Sequence, residues 1–144
     1  METRPKSYTY HTTVKWTEQR KGVIFCAGKP DIQVATPPEF KGHEGIWSPE
    51  DVFVASANIC LMTTFLAVVE RAGLAITSYE SAAEGRLELV DGKFQFTAIT
   101  LKPTITLATS TDAAKAKELI EKAEANSLIS NSMKAKVSLE PSIR

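Results

Sequence analysis

Residues 48–73, SPEDVFVASANICLMTTFLAVVERAG, decide the fold of this chain. They contain an 18-residue run without a charged side chain, residues 52–69, and Cys60 lies inside that run. A thiol on so apolar a helix is either inert packing or a hidden nucleophile. The function depends on which of the two it is.

The ends of this stretch carry helix signals. Ser48 is a favourable N-cap, Pro49 suits the first helical position because its missing N–H costs nothing there, and acids follow in the first turn. Gly73 supplies the C-terminal stop. We predict one helix over residues 48–72, about 37 Å long at about 1.5 Å per residue.

An uncharged run of this length must also be weighed as a membrane span, because about 18 to 20 apolar residues reach the usual threshold. Polar side chains such as Asn58 and Thr63 interrupt it, and no positively charged flank adjoins it. We therefore expect a buried core helix and no membrane partner. Because its apolar groups point in all directions, we expect a homodimer to bury what one small domain leaves uncovered.

Length and charge set further bounds. The 144 residues fit a single domain, residues 1–144. Seventeen basic residues balance seventeen acidic ones without a block of one sign, which argues against nucleic acid as a partner. Residues 1–6 precede no apolar segment, so we expect no secretory signal and a cytoplasmic protein.

The titratable and thiol side chains suggest no metal site. His11 and His43 are isolated, and no His/Cys spacing suits a metal. Cys26 and Cys60 are 34 positions apart, and a reducing compartment argues against a disulfide between them.

The rest of the chain predicts sheet and one more helix. Thr111-Asp112 caps a helix whose apolar stripe is Ala116, Leu119, Ile120 and Ala123, and Asp91-Gly92 marks a hairpin that continues to residue 107. Alternation predicts further strands over residues 8–16, 23–27, 32–36 and 135–139. The predicted fold class is α+β, with antiparallel sheets wrapped around a long buried central helix.

Three separated motifs carry a family resemblance. They are the segment from Ser48 to Phe53 leading to Cys60, the turn Gln19-Arg20-Lys21-Gly22, and residues 126–132, NSLISNS. Together they resemble the OsmC/Ohr family, the osmotically inducible and organic hydroperoxide resistance proteins, over nearly the whole chain. The resemblance implies an intertwined homodimer that reduces organic hydroperoxides to alcohols without a metal or flavin cofactor.

The resemblance also assigns roles. Cys60 matches the peroxidatic cysteine, Arg20 the arginine that activates it, and Glu50 the acid that orients the arginine. A buried cysteine has a raised pKa unless a nearby cation compensates for the burial. The Arg20 guanidinium would stabilise the thiolate, and Glu50 would bind that guanidinium bidentately and fix its direction. The family's second, resolving cysteine falls at Ser127, which cannot form a disulfide.

Two consequences follow for the predicted site. Glu50 and Cys60 are ten residues apart, about 15 Å along a straight helix, so either the helix is broken or the acid and arginine come from the other subunit. Oxidised Cys60 would be resolved by an external thiol or dithiol, or by Cys26, although packing is the simpler role for Cys26.

The sequence says less about which residues bind the substrate. Ile46, Trp47 and Phe53, near the helix start, could line an entrance pocket for an apolar hydroperoxide, whereas Met62 and Phe65 read as core. The alternative function is a non-catalytic dimeric module that binds an apolar small molecule, which the serine at position 127 allows.

Overall fold

The computed structural model describes residues 6–144, and these fall into two compact units that divide after Val52. The first unit is Met1–Val52 and the second is Phe53–Arg144. The prediction of one domain over residues 1–144 stays a prediction. The segment on which the absence of a secretory signal was argued, residues 1–6, lies outside the described residues except for Lys6.

The first unit is built on a three-stranded antiparallel meander. Its strands are β1 (Thr13–Glu18), β2 (Lys21–Phe25) and β3 (Ile32–Ala35). The predicted strand over residues 8–16 is wrong in its start, because Thr13 already pairs with Phe25, the last residue of β2, and residues 6–12 have no partner strand. The predicted strands over 23–27 and 32–36 are confirmed within two residues at each end.

The long helix is confirmed almost to the residue. α1 spans Pro49–Ala72 without a break. At its start the Asp51 N–H donates to Ser48 Oγ at 3.1 Å and the Ser48 N–H donates to Asp51 Oδ2 at 3.0 Å, so each caps the other. At its end Gly73 adopts φ +70°, and the Leu74 N–H closes back onto the Val69 carbonyl at 3.0 Å.

The part of α1 in the second unit has two different faces. One is buried in the core and includes Leu61 and Phe65, both with no exposed surface. The other leaves large apolar side chains exposed, with Ile59 at 57% and Leu66 at 41%. Within residues 6–144, α1 alone is long and apolar enough to cross a membrane, but a core helix passes the same test.

The second unit carries a sheet with two long strands. β4 (Ile76–Val90) and β5 (Lys93–Leu107) form the predicted hairpin, with Asp91 and Gly92 both at positive φ as a tight two-residue turn requires. The prediction of antiparallel sheets is wrong for part of this sheet. β6 (Lys136–Leu139) and β7 (Ser142–Ile143) pair with β5 in parallel, because the chain returns to it through helices rather than a tight turn.

Two helices form that return. α2 spans Ala113–Ala125, and all four residues of its predicted stripe are buried. Asp112 occupies its N-cap, but no side-chain capping bond forms, since a short 3-10 turn over Ser110–Asp112 leads into the helix. α3 (Leu128–Asn131) and β7 were not predicted. The core of this unit lies between the buried face of α1, the inward side chains of β5 and the stripe of α2.

Candidate functional site

Cys60 lies in the middle of α1 and is only 8% exposed. One helical turn further on, the Thr64 hydroxyl approaches its sulfur, with Oγ1 at 3.9 Å from Sγ. Residues 127–129, at the start of α3, supply the remaining polar contacts of the thiol. The nucleophile candidate is therefore buried in the second unit but has polar neighbours.

Ser127 is the residue that the structure brings to Cys60. It is the N-cap of α3 and has no exposed surface. Its Oγ has no partner of ordinary hydrogen-bond geometry, yet it lies near enough to the thiol to influence its ionisation. The position predicted for the missing second cysteine is thus beside the first.

The surroundings of Cys60 favour its thiolate. Burial is the largest single influence and acts to raise the pKa of the thiol. Donor groups of Ser127, Ile129, Thr64 and Leu128 act in the opposite direction and together outweigh it, so the pKa lies below its ordinary value. These donor groups belong to the second unit, and the role predicted for Arg20 stays a prediction.

A second group of polar side chains is buried in the same unit. Oxygens of Asn58, Tyr79, Ser81, Glu124 and Ser130 are buried without a hydrogen-bond partner, although Asn58 Nδ2 donates to the Ser81 carbonyl at 2.8 Å. Burial raises the pKa of Tyr79 to about 12 and raises that of Glu124 above its ordinary value, against the opposing influence of the Ser130 hydroxyl. Glu124 therefore holds its proton more tightly than a surface glutamate does.

Arg20 lies in the turn between β1 and β2 of the first unit. Its Nη1 donates to the Phe40 carbonyl at 2.8 Å, which holds the side chain toward the loop that follows β3. Arg20 also lines a cavity of about 430 Å³, together with Trp16 and Pro49. The predicted activating residue is thus positioned by backbone and borders a cavity next to the start of α1.

Glu50 occupies the first turn of α1. Its Oε1 is buried and has no hydrogen-bond partner. Within residues 6–144 of one chain, Arg20 and Glu50 form no ion pair. Because α1 is continuous, a break in the helix is excluded as the way to bring Glu50 to the Cys60 of its own chain.

The predicted pocket residues belong to different units. Ile46 and Trp47 line a shallow groove of about 330 Å³ in the first unit, and Trp47 is 57% exposed. Phe53 belongs to the second unit and stacks on Phe96 with ring centroids 5.0 Å apart. The three residues do not line one described pocket.

The last candidate residues are Cys26 and any possible metal ligands. Cys26 follows the end of β2 in the first unit, is partly buried, and is a free thiol like Cys60. Within the described part of the chain, no group of three or more His, Cys, Asp or Glu side chains could hold a metal ion.

Sequence reasoning missed Thr64 and the two α3 amides. Thr64 could have been found, because residues four apart on a helix are neighbours on its surface. The Leu128 and Ile129 amides could not, since a helix of four residues leaves no periodic signal.

Comparisons with known proteins agree with this fold. A family model for OsmC-like proteins matches residues 42–142. The uncharacterized protein YmaD of Bacillus subtilis is 26% identical over 135 residues, 91% of this chain and 90% of that protein. The peroxiredoxin OsmC of Escherichia coli is 30% identical over 101 residues, 70% of this chain and 69% of that protein.

Solved structures give the same result. An OsmC-like protein of unknown function from Vibrio cholerae superposes with a TM-score of 0.83 at 22% identity, covering 91% of this chain and 97% of that one. An organic hydroperoxide resistance protein from Legionella pneumophila gives a TM-score of 0.72 at 23% identity, covering 95% and 98%. This likeness confirms the predicted fold class. With the family model and the relative at 30% identity, it shows that the chain belongs to the OsmC-like family.

Proposed function

We propose that this protein is a thiol-dependent peroxidase that reduces organic hydroperoxides to alcohols through Cys60. Membership of a family that includes peroxiredoxin OsmC and organic hydroperoxide resistance proteins supports a peroxidase-type role. The observation that carries the proposal is the Cys60 thiol, which is buried, lies 3.9 Å from the Thr64 hydroxyl, and has a pKa lowered by donor groups of Thr64 and residues 127–129. A thiol kept only for packing needs no such donors.

The reaction follows from thiolate chemistry. The Cys60 thiolate attacks the terminal oxygen of the hydroperoxide, an S–O bond forms, and the O–O bond breaks. The sulfur becomes a sulfenic acid, and the alkoxide takes up a proton to leave as the alcohol. The Ser127 and Thr64 hydroxyls can donate to the sulfur before the attack and to the new oxygen after it.

We assign Arg20 and Glu50 to the same site from the opposite subunit of a homodimer. About 15 Å of helix rise separates Glu50 from Cys60 of its own chain, and α1 is unbroken. The exposed apolar face of α1, with Ile59 and Leu66, gives a second copy a surface to cover. In such a dimer the unpartnered Glu50 carboxylate would hold the Arg20 guanidinium, which would donate to the departing oxygen.

Ser127 determines how the cycle ends. A serine cannot condense with the sulfenic acid, so an external thiol attacks it, releases water and leaves a mixed disulfide. A second thiol then regenerates Cys60. The apolar surroundings of Cys60 would favour apolar hydroperoxides over hydrogen peroxide, and we place the protein in the cytoplasm, where such thiols are abundant.

Turnover tests the assignment of Cys60. Purified protein is supplied with cumene hydroperoxide and either a monothiol or a dithiol, and peroxide loss is followed. We expect Cys60→Ser to abolish turnover and Cys26→Ser, its matched control, to retain it. Unchanged turnover in Cys60→Ser would overturn the peroxidase and favour the alternative, a dimeric module that binds an apolar small molecule.

Mixed dimers test the divided site. Cys60→Ser and Arg20→Ala subunits are each expected to be inactive alone. A heterodimer of the two regains one complete site if Arg20 acts across the interface, and none if it acts within its own chain. Recovery of activity on mixing supports the divided site, and failure to recover in proven heterodimers refutes it.

A further inference from the structure

A groove in the second unit is lined by residues of α1 and α2. Its volume is about 600 Å³, room for a small organic molecule. Thr64 lines one end, and the hydroxyl of this residue is 3.9 Å from the Cys60 sulfur. Asn126 also lines the groove and directly precedes Ser127, the other neighbour of the thiol.

Positive charge dominates the other lining residues. Arg71, Lys115 and Lys122 contribute three cations against the single carboxylate of Glu118. Glu118 is 3.8 Å from Lys115, an exposed pair that is worth little. Neither Arg71 nor Lys122 takes part in an ion pair within the described residues. This local excess stands out in a chain whose total charge is zero.

One of the cations shares a helix face with Thr64, the neighbour of the thiol. Thr64, Val68 and Arg71 follow one another at four- and three-residue spacing, so they share one face of α1. Arg71 is thus about 10 Å along the helix axis from Thr64. A molecule with a carboxylate at one end can bind the cations while its other end approaches Cys60.

We propose that this groove binds the carboxylate of a small molecule that reacts with Cys60. The assignment rests on the proposed function for what that molecule is: a carboxylate-bearing thiol that reduces the oxidised cysteine, or a carboxylate-bearing hydroperoxide that oxidises it. In the first case the incoming sulfur bonds to the Cys60 sulfur, the S–O bond breaks, and the hydroxyl leaves as water with the proton of the thiol. A second thiol then restores Cys60 and leaves as the disulfide of the reductant.

Alkylation of reduced Cys60 tests the groove without any peroxidase chemistry. In a Cys26→Ser background, the rate with iodoacetate is divided by the rate with iodoacetamide, which is neutral and nearly the same size. We expect Arg71→Gln and Lys122→Gln each to lower this ratio about threefold, and Glu118→Gln to raise it, because each changes one charge near the anion. Lys117→Gln, on the same helix but outside the groove, is the control and leaves the ratio unchanged.

Salt gives an independent reading on the unmutated groove. Raising ionic strength from about 0.01 M to about 1 M shortens the Debye length from about 30 Å to about 3 Å and should bring the ratio toward that of a free thiol. The proposed carboxylate site would be refuted if the ratio did not depend on salt, or if Lys117→Gln changed the ratio as much as Lys122→Gln does.

Two further arms identify the source of the carboxylate. Reduction of oxidised Cys60 is compared for 3-mercaptopropionate and 2-mercaptoethanol, and oxidation for linoleic acid hydroperoxide and cumene hydroperoxide. If Arg71→Gln slows only the reduction by 3-mercaptopropionate, the groove is a reductant site. If it slows only the oxidation by linoleic acid hydroperoxide, the groove is a substrate site. Arg71→Gln could lower the alkylation ratio and yet change neither the reduction nor the oxidation of Cys60. That result would refute a role of the groove in the peroxidase cycle, although the groove would still bind anions.

Discussion

Ile59→Ala tests whether a second copy covers the exposed face of α1. Ile59 is 57% exposed in the single chain, the most exposed of the large apolar side chains on this helix. The substitution removes three carbons, worth about 2.4 kcal/mol at about 0.8 kcal/mol each when fully buried. If the partner covers the exposed part, about 1.4 kcal/mol is lost from each subunit.

In a symmetric dimer the loss counts twice, because both subunits present the same residue to the interface. The sum of about 2.7 kcal/mol corresponds to a dimer dissociation constant weakened about a hundredfold. Analytical ultracentrifugation over a dilution series measures it. Leu89→Ala is the control, because Leu89 is 63% exposed but lies on β4 beside the hairpin turn.

The reasoning is refuted if Ile59→Ala changes the dissociation constant less than about threefold, or if the unmodified protein is a monomer at micromolar concentration. Equal weakening by Leu89→Ala would show that the interface is not centred on α1.

Three further predictions concern the site and its surroundings. Arg20→Ala should slow Cys60 oxidation about a hundredfold with the fold intact by circular dichroism, and Arg20→Lys should recover only part, because lysine lacks the fork. Ser127→Ala should raise the pKa of Cys60, shifting the pH profile of its alkylation by iodoacetamide upward, and an unshifted profile would contradict the role of that hydroxyl. Glu124→Gln should raise the melting temperature at neutral pH. The folded-state pKa of Glu124 is raised, so its ionisation costs stability as pH rises above the unfolded value, and the gain should vanish in acid, where both side chains are neutral.

Structural features that depend on residues close together in the sequence were predictable. The limits of α1 follow from Ser48, Pro49 and Gly73, each of which acts within one turn of the residue it caps. The Asp91-Gly92 turn fixed the hairpin for the same reason. The parallel pairing of β6 with β5 was not predictable, because strand partners far apart in sequence leave no mark on local alternation.

The candidate site also has parts that could be predicted from the sequence and parts that could not. The motifs led to Cys60 and Ser127, and the structure brings these two residues together. Donor groups of the same unit already lower the pKa of the thiol, and the activating role of Arg20 stays a prediction. Two of those donors are backbone amides, which have no sequence signature.

Direct oxidation of Cys60 tests the central claim. Cys26→Ser protein is mixed with one equivalent of cumene hydroperoxide or of hydrogen peroxide, and the intact mass is followed before and after a monothiol is added. We predict that Cys60 gains one oxygen atom, faster with cumene hydroperoxide, and then becomes a mixed disulfide. A Cys60 that remains a free thiol with both peroxides would contradict the account.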